Sequence, residues 1–139
     1  MTVSADRLLR RTLWGNSVFS GVSGALLTAF ATPFAAAAAT APLAVAGLDF
    51  AIVLELLGVG VVIFGVLCAW IASRDPLPGT WARVVFMADL AWLAGSVVVL
   101  LLPVSWTTAG VVGIVVLAVI VADLALLEYL GLRRLNSAI

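Results

Sequence analysis

Hydrophobic positions fall in four long blocks, at residues 13–32, 49–73, 83–102 and 109–132, flanked and separated by short stretches that carry all five prolines and six of the seven arginines. Each block has about twenty residues or more, enough at 1.5 Å per residue to cross a hydrocarbon core of ~30 Å. The pattern predicts an all-α protein, an integral membrane four-helix bundle forming a single transmembrane domain over residues 1–139. The breaks are a polar leader at 1–12, a turn RDPLPGT at 74–80, a connection VSWTTAG at 104–110 and a tail RRLNSAI. Residues 33–48 fit neither class. They are uncharged, Ala-rich and bracketed by Pro33, Pro42 and Gly47, too apolar for an exposed loop and too interrupted for a long helix. They are expected in the outer interface, where a short helix can form. Arginines, an apolar run and then ATPFAAAAATAP also fit a signal peptide; the segment is expected to stay as the first span.

Arginine placement orients these spans. Arg7, Arg10 and Arg11 precede the first, Arg74 and Arg83 flank the 2–3 turn, and Arg133 and Arg134 follow the fourth. With four spans all seven lie on one side, so the positive-inside rule puts both termini in the cytoplasm. Trp14, Trp70 and Trp81 mark that boundary and Trp106 the outer one.

Composition agrees with lipid as the solvent: 65% of the 139 residues are hydrophobic and 10% charged, against roughly 45–50% apolar in soluble domains. A net charge of zero gives no footprint for nucleic acid. The chain has no histidine, which excludes His-ligated haem, Cys/His zinc sites and Ser-His-Asp chemistry. No metal site or cofactor is expected, although an apolar ligand or lipid is compatible with the composition. Cys68, the single cysteine, reads as a small buried apolar residue.

Polar residues inside the spans are the candidate chemistry, because a buried polar group in lipid needs a partner. In span three Asp89, Trp92 and Ser96 share one helical face. In span one Asn16, Ser20 and Ser23 share a face, and Ser17, Gly21, Gly24 and Thr28 form a small-residue stripe suited to close helix packing. Depth sorts the acids. Asp89 lies six residues from Arg83, about 9 Å in, and Asp123 ten residues before Arg133, about 15 Å in and near the midplane. Asn16 lies five residues past Arg11, at a depth similar to Asp89. The expectation is one polar pocket lined by Asn16, Asp89, Trp92 and Asp123, with Ser20 and Ser96 beside it. Glu55, about 28 Å from Arg74, is expected near the outer surface. Glu128, about a turn from the cytoplasmic end, is expected to reach interfacial water or pair with Arg10 or Arg11, or else to converge with Asn16, Asp89 and Asp123.

The strings NSVFSGVSG, DLAWLAGS and LEYLGLRR resemble a loose group of small bacterial four-helix inner-membrane proteins. That resemblance implies the bacterial inner membrane and carries no activity. Small multidrug transporters share the size and helix number, but this chain has Asn16 where their first helix carries a glutamate.

Three functional classes follow. The first is a non-enzymatic component, either an accessory subunit of a membrane assembly or a binder of lipid or another apolar ligand. The second is a proton-coupled transporter or channel working as a homo-oligomer, with Asp89 or Asp123 titrating and Trp92 facing the substrate. The third is a membrane enzyme on an isoprenoid-like substrate, with Asp89 and Asp123 as acid and base. The expected partners are membrane lipids and either further copies of the chain or another membrane protein.

Overall fold

A computed structural model describes residues 6–137. The chain runs through α1 (Arg7–Ala29), α2 (Ala31–Ala38), the short strands β1 (Ala44–Val45) and β2 (Leu48–Asp49), α3 (Phe50–Ala72), α4 (Gly79–Leu101) and α5 (Thr108–Asn136). Helices α3, α4 and α5, of 23, 23 and 29 residues, are long and apolar enough to cross a membrane. Helices α1 and α2 make a fourth span if the pair, bent by 84°, counts as one. The protein is therefore helical with three to four membrane-compatible helices.

Three helix ends differ from the apolar pattern, each for a local reason. Helix α1 starts at Arg7, well before the apolar block, because Leu9 is fully buried and packs in the core beneath the arginines. Helix α4 starts at Gly79, directly after Pro78, whose fixed φ and missing N–H suit the position before a first turn. Helix α5 continues to Asn136 because Leu132 still packs inward. Arg133 and Arg134 then sit in its last turn, where the helix dipole favours positive charge.

Residues 33–48 hold more order than an interfacial loop. Pro33 lies in the first turn of α2, where an absent N–H breaks no helical bond. Ala46 and Gly47, with φ of 52° and 81°, turn the hairpin between β1 and β2, since a tight two-residue turn requires left-handed backbone at both positions. The segment is stitched to the α4–α5 connection: Thr40 N–H donates to Ser105 O at 3.0 Å and Thr107 N–H to Ala38 O at 2.9 Å. The Thr107 hydroxyl caps α5 by accepting from Gly110 N at 2.9 Å and donates to the carbonyls of Ala37 and Ala38. Thr107→Val is expected to lower stability by about 1 kcal/mol, the usual worth of an N-cap. Unfolding in mixed micelles, followed by helical circular dichroism, checks this.

Helix α1 lies between α3 and α5, and α4 packs mainly on α5. The α1–α3 contact is close because glycine meets glycine. A Cβ added to Gly58 would stand 2.7 Å from Gly24 O, and one added to Gly24 would stand 2.7 Å from Gly58 O. Further along, a Cβ on Gly65 would lie 3.0 Å from both Ser17 O and Gly21 N. Thr28, at the far end of that stripe, donates back to Gly24 O at 2.9 Å.

At the arginine-bearing end, Leu9 and Leu13 of α1 pack with Cys68 and Ile71 of α3, Val85 of α4 and Leu132 of α5. Arg10 closes this end. It donates to Ala72 O at 2.6 Å and Arg74 O at 2.7 Å and pairs with Asp6 at 2.8 Å, satisfying carbonyls that α3 leaves open at its C-terminus. Trp14, Trp70 and Trp81 are exposed, and Trp70 meets Trp81 edge-on at 6.2 Å with Arg74 over its ring.

Candidate functional site

Each of three helices buries one regular stripe, and each stripe carries a polar residue. In α1 the buried positions are Leu9, Thr12, Leu13, Asn16, Ser20 and Gly24; in α4 they are Ala82, Val85 and Asp89. In α5 they include Val121, Ala125, Glu128 and Leu132. These positions recur three and four apart, so Asn16, Asp89 and Glu128 are held where their helices face one another.

They meet through one amide. Asn16 Nδ2 donates to Asp89 Oδ2 at 2.7 Å and to Glu128 Oε1 at 3.0 Å, and Ser20 Oγ donates to Asn16 Oδ1 at 2.9 Å. Both amide hydrogens and the amide oxygen are thereby used. The cluster is sealed: Asn16 is 1% exposed, Ser20 and Asp89 4%, and Glu128 0%. It ties α1 to α4 and α5 at once. Salt bridges among the described residues join Arg10 to Asp6 and Asp75, so none brings a cation to the cluster.

Among the described residues two buried side-chain polar atoms have no partner, Glu128 Oε2 and the Trp92 indole Nε1. An unpaired polar atom in a dry site costs about 1–3 kcal/mol.

The remaining expected site residues lie elsewhere. Asp123 does not line the pocket; it is exposed on α5. Five residues separate Asp123 from Glu128, which places their side chains about 140° apart around a helix, so only one of them can face the bundle. Asp89 is thus buried within the bundle and Asp123 lies on its outside. Glu128, in contrast, lies inside the bundle. It is wholly buried and bonded to Asn16 rather than reaching water or Arg10, whose donors go to Asp6, Ala72 and Arg74. The Ser96 hydroxyl is spent on its own helix, donating to Trp92 O at 2.9 Å. Glu55 is exposed on α3, and its carbonyl accepts from Thr28 Oγ1 at 3.4 Å. Residues Ser17 and Gly21 run along α3 with Gly24 and Thr28.

Glu128 had a legible signal. It stands five residues before Arg133, as Asn16 stands five past Arg11 and Asp89 six past Arg83. Matching depth along the three helices singles it out, where absolute depth favours Asp123.

Among the described residues no group of His, Cys, Asp or Glu could hold a metal ion. Two shallow surface depressions lie at 130–137 and at 39–43 with 103–105, neither lined by a cluster residue. Comparison with protein-family models, curated proteins and solved structures finds no match, so the site is read from its own geometry.

Proposed function

We propose that this chain is a non-enzymatic component of a larger membrane assembly, an accessory subunit whose polar cluster is an internal fastening. The observation that carries the reading is the closure of the cluster. Asn16, Ser20, Asp89 and Glu128 bond to one another and are at most 4% exposed, with Glu128 Oε2 left unpaired inside, so the cluster presents almost no surface to a substrate. The outward faces of α3, α4 and α5 are rows of valine, leucine and isoleucine, suited to lipid and to neighbouring transmembrane helices. The reading takes α1 with α2 as a fourth span and both termini as cytoplasmic, in a bacterial inner membrane, on the strength of the seven arginines at one end. Native mass spectrometry of the protein released gently from its own membrane tests it. A stoichiometric protein partner is the expected result, and a monomer carrying a tightly retained small molecule would replace the subunit reading with ligand binding.

One observation favours a second reading, a proton-coupled path in a homo-oligomer. Two carboxyl groups share one amide with no described cation beside them, and Glu128 Oε2 is unpartnered. A set short of positive charge in hydrocarbon is completed by a proton held between the two acids. Proton flux into vesicles holding the purified chain distinguishes this reading. Flux lost in Glu128→Gln would support transport, and its absence in the parent protein would leave the fastening.

A further inference from the structure

Asp123 is the one acid of the described helix interiors that is both deep and turned outward. It lies ten residues before Arg133, about 15 Å along the helix, too far for its short side chain to reach the interface. It is exposed, and no described side chain bonds to it: the salt bridges of the described residues involve Asp6 and Asp75. Its face of α5 is otherwise apolar. One turn either way stand Val119, Ile120, Leu126 and Leu127, and beyond them Val116 and Leu130, all of them exposed. A carboxyl surrounded by hydrocarbon in this way is costly and calls for a charge or donor at its own depth.

The chain cannot provide that cation from a second copy in the same orientation. All seven of its basic residues are arginines at one end of the bundle, and it has neither lysine nor histidine. We infer that the Asp123 face of α5 docks a transmembrane helix of a different protein carrying a basic side chain near the bilayer midplane, paired with Asp123. This inference rests on the accessory-subunit reading and names the chemistry of the partner. The apolar residues above and below Asp123 supply packing, and the ion pair sets depth and register.

The probe is a synthetic leucine-alanine transmembrane peptide with a single central lysine, labelled for energy transfer to the full-length chain in bilayers. Two comparison peptides carry the lysine at one end or lack it. The expected result is association with the central-lysine peptide, weakened roughly threefold to thirtyfold in Asp123→Leu, the span of measured interhelical polar pairs. Asp123→Asn, which keeps an amide of the same size, guards against a folding defect and is expected to weaken binding in the same direction but less. Equal binding of all three peptides, or binding unchanged by both substitutions, would overturn the inference. So would a copy of the chain itself displacing the lysine peptide through Asp123, since the occupant would then be a second copy. A protein partner retained in native mass spectrometry alongside Asp123-independent peptide binding would sink this inference and leave the subunit reading standing.

Discussion

Replacing Asn16 with leucine is expected to destabilise the bundle by about 2–5 kcal/mol. The amide supplies hydrogen bonds to Asp89 Oδ2 and Glu128 Oε1 and accepts one from Ser20 Oγ. Polar pairs between membrane helices contribute about 0.6–1.7 kcal/mol each, because the separated helices also find partners. Two bonds on this side chain are of that kind, to carboxyls of α4 and α5, and together contribute about 1–3 kcal/mol; the third, from Ser20, lies within α1. Loss of one partner also strands the others, which is worse than removing the whole set. The combined variant Asn16→Leu, Asp89→Leu and Glu128→Met should therefore recover most of what Asn16→Leu alone loses. Equilibrium unfolding in mixed micelles measures both. A single variant within about 1 kcal/mol of the parent would mean the cluster fastens nothing.

The second large effect is expected between α1 and α3. Gly58→Ala places a methyl 2.7 Å from Gly24 O and Thr28 N, and against Thr28 Oγ1. Two of these three are backbone atoms of the facing helix, so the helices must separate rather than a side chain turn aside. Overpacking of this kind costs about 1–3 kcal/mol. Gly60, two residues further along α3, has nothing within 4 Å of its added Cβ, and Gly95 of α4 is equally free. Alanine at either should be neutral or stabilising by up to about 1 kcal/mol, since alanine favours a helix over glycine. The same micelle unfolding reads all three variants. If Gly58→Ala and Gly60→Ala behave alike, the close approach of α1 to α3 does not exist in the membrane.

The two effects differ in kind. Glycine contacts bring α1 against α3 without direction in the bonding, whereas the Asn16 cluster specifies which faces of α4 and α5 turn towards α1. A membrane bundle gains little from hydrophobic contrast with lipid, so packing and polar pairing must choose the arrangement. Asp123 belongs to neither device and stays turned outward.

The sequence by itself determined the membrane character, the near positions of the long helices and the residues able to carry polar chemistry. Length and hydropathy are local quantities: about twenty apolar residues must span hydrocarbon as a helix because their backbone groups have no water to bond. It also singled out Asn16, Ser20 and Asp89, since polar groups in such blocks are few. The small-residue stripe of α1 was visible too, and so were glycines of α3 fit for packing; only the pairing of those helices reveals that Gly58 and Gly65, and not Gly60, are its complement. The tertiary structure decided which acid joined Asn16. Depth counted from the arginines favoured Asp123; rotation of α5 about its axis, set by burial of Val121, Ala125 and Leu132, turned Glu128 inward and Asp123 outward. It also decided the fold of residues 33–48, where α2 and the hairpin are held by bonds to residues 105 and 107. Rotational phase and long-range backbone pairing are properties of the assembled bundle, and no single stretch of the chain encodes them.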